Sequence, residues 1–163
     1  MANTQSMCTS FMQQLMVGEH QLGTATLVSR TSLTAPTTDT LKAALYLTTA
    51  TVNASTTAYS ASNEVSGTGY AAGGVTVTNA TAPNSTNASA TAGVAFFTPS
   101  ASITYTTVTL ATAFDAVLIY NSTQSNKAIS VHTFGSQTVT AGTFTLTMPS
   151  NTTTTALIRL ATT

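Results

Sequence analysis

The chain has 163 residues, enough for one domain with a sizeable core, and its formal net charge is zero. Only 5% of its residues are Asp, Glu, Lys or Arg, against roughly a quarter in an average globular domain. Nucleic-acid binding is disfavoured because no basic cluster could neutralise phosphates, and no apolar run reaches the ~18 residues that a membrane span needs. A surface this neutral has little charge repulsion, so we expect it to pack against other protein surfaces.

Near the N-terminus, apolar residues recur at three- and four-residue spacing, as on one face of an amphipathic helix. They are Met7, Cys8, Phe11, Met12, Leu15 and Met16. The spacing predicts one short helix that ends at Gly18. Its apolar face has two open interpretations, covering the end of a β-domain or docking on a neighbouring subunit.

Residues 24–40 are rich in Ser and Thr and contain Pro36. This composition predicts a loop or extended arm, with at most a short strand at residues 25–28. Residues 1–40 are therefore interpreted as an N-terminal helix followed by an arm. The start of the chain lacks the basic and apolar regions of a signal peptide, so we expect synthesis in a cytoplasm. Cys8 is the single cysteine and has no partner for an internal disulfide.

From Leu41 onward, apolar and polar residues alternate with the period of two that half-buried strands show. Threonine is β-branched and suits the exposed face of such strands. The alternation predicts strands at residues 41–48, 74–78, 94–98, 103–110, 117–120, 128–134, 143–148 and 156–161. Glycine, proline and asparagine separate these runs, which favours an antiparallel sandwich or barrel.

The predicted fold class is mainly β, an antiparallel β-sandwich or barrel-like domain over residues 41–163 with one short N-terminal helix. Residues 79–91 have low sequence complexity and predict a long surface loop. Residues 67–74 hold four glycines, but the third comes one residue too late for a dinucleotide-binding loop and a strand follows instead of a helix. We interpret this tract as a tight turn that glycine permits.

Groups that could carry catalysis are scarce. Glu19 and His20 are neighbours, unlike the i, i+4 spacing of metal-binding helices, and His132 lies within a predicted strand. We predict no catalytic residues, no metal site, no cofactor and no small-molecule substrate. An enzyme would be indicated by either histidine lying in a polar pocket with a carboxylate. Asp115 and Arg159 lie beside apolar strands, where they could pair with each other, pair with a neighbouring chain, or be solvated.

Three stretches, taken in order, resemble a family of small structural proteins from tailed bacteriophages. The stretches are Leu41-Lys42-Ala43-Ala44-Leu45-Tyr46 with residues 53–59; residues 64–74; and residues 116–121, 125–128, 134–135, 142–146 and 157–161. The likeness covers most of the chain outside residues 24–40 and 79–91. In this family an acidic residue is expected shortly before the Phe-Gly pair, where this chain has His132-Thr133.

The resemblance implies a non-enzymatic virion protein of a double-stranded DNA phage, without catalytic residues. Our leading hypothesis is a capsid decoration protein whose partners are the major capsid protein and other copies of itself, as a trimer by analogy. We select six interface candidates, Phe11, Leu15, Pro36, Asn84, Asn87 and Arg159. The alternatives are a tail, neck or head-fibre component, and a carbohydrate- or host-surface-binding module that uses exposed tyrosines, Tyr59, Tyr70 and Tyr105.

Overall fold

A computed structural model of the chain describes residues 3–16, 18–23, 37–79, 82–86 and 93–161. These residues form two antiparallel sheets and one short helix, which confirms the predicted fold class. The predicted strand at residues 25–28 and the interface candidates Pro36 and Asn87 lie outside the described residues. The division of the chain at residue 40 stays a prediction.

The elements follow one another in a simple order. They are β1 (Ser6–Met7), α1 (Thr9–Met16), β2 (Leu41–Leu47), β3 (Val75–Val77), β4 (Asn84–Ser85), β5 (Val94–Phe97), β6 (Ile103–Asn121), β7 (Lys127–Leu146) and β8 (Ile158–Ala161). One sheet has the strand order β1-β7-β6-β2-β3, and the other has the order β4-β5-β8. The helix is the one that the apolar spacing predicts.

Helix α1 packs its apolar face onto the β-domain. The side chains of Cys8 and Phe11 are fully buried and belong to the same core cluster as strands β2, β6 and β7. The buried part of this face therefore covers the end of the β-domain, which was one of the two interpretations of the apolar spacing. Phe11 was wrong as an interface candidate, because a fully buried side chain cannot contact a partner.

Strands β6 and β7 form a hairpin that is much longer than the alternation predicts. Each of them joins two predicted strands, and the pairing between them slips at several places between Tyr105 and Ala116. Thr107 and Ala141 have positive φ angles of 53° and 44° in this slipped region. Such irregularities bend a β-ribbon and increase its twist.

The bend folds the hairpin back on itself, so its two halves pack against each other. The ring of Phe144 lies 5.0 Å from that of Phe114 and 5.3 Å from that of Phe134, although Phe134 and Phe144 are ten positions apart on β7. Ile103, at the open end of the hairpin, lines the same cavity as Ile119 near its turn. One hairpin thus supplies both layers of this part of the core.

The predicted surface loop at residues 79–91 was wrong in its middle. Asn84 and Ser85 form β4, which pairs with β5, and the backbone N–H of Thr86 donates to the carbonyl of Val94 at 3.0 Å. Asn79 is also anchored, because its amide donates to the carbonyls of Leu22 and Asp39, each at 3.0 Å. β4 pairs with the next strand along the chain, whereas the Asn79 contacts reach residues distant in sequence, and the composition of the segment reveals neither.

The glycine tract forms a glycine-dependent turn ahead of β3, as predicted, and it also lies against residues 107–109 of β6, a part of that strand that β2 does not pair with. A Cβ atom on Gly67 would overlap the carbonyl oxygen of Thr109, and one on Gly69 would overlap that of Thr107. The backbone N–H of Thr109 donates to the carbonyl of Thr68 at 2.9 Å. Glycine is required here because the two backbones touch.

We predict that Gly67→Ala destabilises the protein by about 2 kcal/mol or more, because the added methyl group displaces the turn from β6. Gly135→Ala is the matched control, since a Cβ there meets nothing within 4 Å and the φ angle is not positive. The control should change the free energy of unfolding by less than about 0.5 kcal/mol. Chemical denaturation of both variants measures the difference, and equal stabilities would contradict the proposed close contact.

Candidate interaction surface

Charged side chains in the described part of the chain are used mainly for internal contacts. Asp39 and Glu64 are buried, Glu19 forms an ion pair with Lys127, and Asp115 accepts a hydrogen bond from Asn3 at 2.6 Å. Residues 65–114 and 128–158 contain no Asp, Glu, Lys or Arg. The surface that these two stretches present is therefore free of formal charge.

Arg159 does not pair with Asp115, so the first of the alternatives for these two charges, an ion pair between them, does not form. Its side chain is exposed on β8 and makes no ion pair with any described residue. Asn84 is also exposed, and both residues pair with Phe96 of the central strand β5, from opposite sides. The fold therefore brings two of the interface candidates into one row across the small sheet.

The carboxylate of Glu64 is buried at the centre of a hydrogen-bond cluster. Its Oε1 accepts from the Tyr70 hydroxyl and from the backbone N–H of Gly73, both at 2.7 Å, and its Oε2 accepts from the Tyr59 hydroxyl at 2.6 Å. Burial, followed by the hydrogen bond to this carboxylate, raises the pKa of both tyrosines. The cluster ties together residues 59–73, the segment that carries the glycine turn.

The remaining three tyrosines hold the same region. The hydroxyl of Tyr46 donates to the carbonyl of Ser60 at 2.5 Å, and that of Tyr120 donates to the carbonyl of Gly73 at 2.8 Å. The Tyr105 hydroxyl donates to the carbonyl of Ala43 on β2 at 2.8 Å. All five tyrosine hydroxyls of the chain thus have internal partners.

A carbohydrate-binding role for Tyr59, Tyr70 and Tyr105 requires exposed rings, and this premise is wrong. The Tyr105 side chain is only 2% exposed. The ring of Tyr70 stacks on that of Tyr105 at 5.8 Å, and the ring of Tyr59 stacks on that of Tyr120 at 4.7 Å. Tyr59 and Tyr70 are half-buried, and each ring is stacked on a neighbouring tyrosine, so none of the three side chains is exposed.

His20 links the N-terminal segment to the turn between β6 and β7. Its Nδ1 accepts a hydrogen bond at 3.0 Å from the amide of Asn121, whose second N–H donates to Asp39 at 2.6 Å. Its Nε2 lies 2.8 Å from Gln14 Oε1, so Nε2 carries the proton and the ring is neutral. Burial lowers the pKa of His20, and the charge of Asp39 opposes this shift. Asp39 reaches His20 through the Asn121 amide and not directly.

His132 lies between the two sheets with one hydroxyl beside it. Ser130 Oγ is 2.9 Å from His132 Nε2, a distance that a nucleophile and its base require. The Ser130 side chain is 2% exposed, and no described residue hydrogen-bonds to His132 Nδ1 to orient the ring. Burial lowers the pKa of His132 to about 4, so the ring is neutral at pH 7. The pair lacks the third member that a catalytic triad contains.

An open cleft of about 210 Å³ lies along the outer edge of β7. Its walls are residues 132–134 of β7 and residues 145–147, at and just beyond the end of that strand, which the bend in the hairpin brings together. Consecutive residues line it in both stretches, and buried residues of β6 line it as well, so the cleft lies between the two halves of the folded-back hairpin and opens at the edge of β7. Its other lining residues are apolar: Ile103, Val117, Ile119, Met148 and Leu157.

A second apolar groove, of about 280 Å³, separates helix α1 from the small sheet. The interface candidate Leu15 lines it, together with Leu22, Phe96, Ile158 and Leu160. Met12 and Met16 of the same helix are exposed at 44% and 88%. Of the two interface candidates on α1, Phe11 is buried and Leu15 is accessible from this groove.

The cleft on β7 was missed in the choice of interface residues. A signal was present in the sequence, since residues 143–148 alternate threonine with apolar residues and contain no charge or proline. Edge strands of natural proteins usually carry one of those protections. The alternation indicated a strand but not which strand would lie at an edge.

Comparisons of the chain with protein-family models, with curated proteins and with solved structures gave no match. The bacteriophage family that the sequence resembles therefore stays a prediction. Among the described residues, no helix has the length and apolar character to cross a membrane. In that same part of the chain, no group of three or more His, Cys, Asp and Glu side chains is placed to hold a metal ion.

We predict that Glu64→Gln lowers the free energy of unfolding by about 2 kcal/mol. All three contacts of the carboxylate are donors, so the amide –NH₂ of glutamine must face one of them. If it faces a tyrosine, that hydroxyl must turn from donor to acceptor, and the hydrogen bonds that remain are no longer to a charged group. Asp115→Asn is the control, because that carboxylate is half-buried and its one described hydrogen bond comes from Asn3. The control should change stability by less than half as much in chemical denaturation. An equal loss in both variants would contradict the central role of Glu64.

Proposed function

We propose that this chain is a non-enzymatic structural protein of a tailed double-stranded DNA phage virion, a decoration protein that binds the outside of the capsid shell. In this role it contacts adjacent major capsid subunits and holds them together. It acts through complementary surface and needs no active site, metal or cofactor. Its location is the virion, after synthesis in the host cytoplasm.

The observation that carries this proposal is the uncharged surface of residues 65–114 and 128–158. A protein that is buried against a shell must remove its surface from water, and formal charges are the most expensive groups to desolvate. Threonine, serine and asparagine side chains can form hydrogen bonds to a partner without that penalty. Because Asp39 and Glu64 are satisfied internally, neither needs the partner for its hydrogen bonds.

The free strand edges and apolar grooves give this surface the shape that docking needs. A stable contact buries roughly 1,200–2,000 Å², and a decoration protein gains further from touching several subunits at once. The cleft on β7 and the groove beside Leu15 are separate apolar features, so the chain can engage more than one neighbour. The order of the three family-like stretches points to the same class of protein.

A tail, neck or head-fibre component is the alternative within the same class. Such a part would assemble chiefly with its own kind into a tube or fibre, whereas a decoration protein needs the shell as a template. Negative-stain microscopy of the isolated protein separates the two, because a tube or fibre formed without the shell would contradict the decoration role.

Attachment of the protein to its particle should resist high salt. At about 1 M NaCl the screening length is only about 3 Å, so ionic contacts weaken while apolar and neutral hydrogen-bonded contacts remain. We predict that washed virions keep most of the protein, as measured by immunoblotting of the pelleted particles. Release by NaCl alone would contradict attachment through an uncharged surface.

A further inference from the structure

Within the described part of the chain, strand β7 has no pairing partner along its outer edge from residue 132 to residue 146. The short β1 pairs with Ser130 and Val131, and backbone bonds from Cys8 and from residues 57–58 cover residues 127–129 of the same edge. The unpaired backbone groups of a strand edge are a template for another strand. Residues 143–148 carry no lysine, proline or inward-pointing charge that would prevent such pairing.

The same edge borders the apolar cleft described above. Residues 145–147 form one of its walls, and the side chains of Phe144 and Leu146 point inward, while Thr143, Thr145 and Thr147 are exposed. A strand that adds to this edge can therefore bond to the β7 backbone and place every second side chain over the cleft. Backbone bonds combined with pockets for alternate side chains are how strand addition gains affinity and specificity.

We infer that residues 143–147 are a self-association edge, which pairs antiparallel with the same residues of a second copy of this chain. Antiparallel pairing of one segment with itself is two-fold symmetric, so the contact closes on itself and gives a dimer. Thr145 lies at the centre of this segment and faces its counterpart across the two-fold axis. This inference does not depend on the proposed virion function.

The second copy is the occupant because the segment is complementary to itself. It is uncharged, so no like charges meet across the axis, whereas like charges directly opposite each other would destabilise the pair. The backbone of this segment supplies the free edge, and its apolar residues Phe144 and Leu146 are the kind of side chain that an apolar cleft accepts. Phe134, on the opposite wall, and Leu157 add apolar surface from the same cleft.

Sedimentation velocity of the full chain, at about 1–100 µM, tests this inference, and the variant is Thr145→Lys. The wild type should show a concentration-dependent dimer, and the lysine should weaken dimerisation at least about tenfold by placing like charges face to face. Thr104→Lys is the matched control, since Thr104 pairs with Thr145 on the neighbouring strand and is equally exposed, but lies one strand from the edge. That control should leave the dimer within about threefold of wild type.

A cross-linking experiment covers the case in which the lysine variant misfolds. Thr145→Cys should form a disulfide-linked dimer on mild oxidation, while Thr104→Cys should not. The native Cys8 is fully buried, so the introduced thiol is the accessible one. A monomeric wild type, equal dissociation of both lysine variants, or equal cross-linking of both cysteine variants would overturn the inference.

Discussion

The buried carboxylate of Glu64 is the interaction on which the most distinctive part of the structure depends. It gathers donors from Tyr59, Tyr70 and Gly73, three groups on a loop that has almost no regular secondary structure of its own. Held in this way, the loop presses its glycines against residues 107–109 of β6. A buried carboxylate is tolerated only when its hydrogen bonds are complete, and here the fold completes them.

This internal use of polar groups explains how so few charges can support a folded domain. Each of the two buried carboxylates organises a loop, since Asp39 binds the amides of Gln21 and Asn121 as Glu64 binds its tyrosines. The surface is left to threonine, serine and asparagine. A protein built in this way gains no solubility from charge repulsion, and its surface suits burial against neutral partners.

Much of the fold could be predicted from local pattern, and the exceptions have a physical cause. The alternation at residues 41–48 predicts β2, and the apolar spacing around Phe11 predicts α1, because each pattern is set by one buried face. The β6–β7 fold-back could not be predicted in this way. It depends on Phe144 meeting Phe114 and Phe134, contacts between residues that the sequence separates.

The candidate site was predicted less well than the fold. Leu15, Asn84 and Arg159 are accessible, but Phe11 is a core residue, because an amphipathic pattern does not say which surface covers its apolar face. β1 is too short to cover β7, and this mismatch in length arises from pairing between distant parts of the chain, so no local pattern reveals it.

Cryo-electron microscopy of the particle that contains this chain decides whether the protein decorates the shell. We expect density for the β-domain repeated over the outside of the shell, between neighbouring major capsid subunits, with the uncharged surface in contact. Density confined to the tail axis or to a single vertex would contradict the decoration role and assign the protein to the tail, neck or fibre.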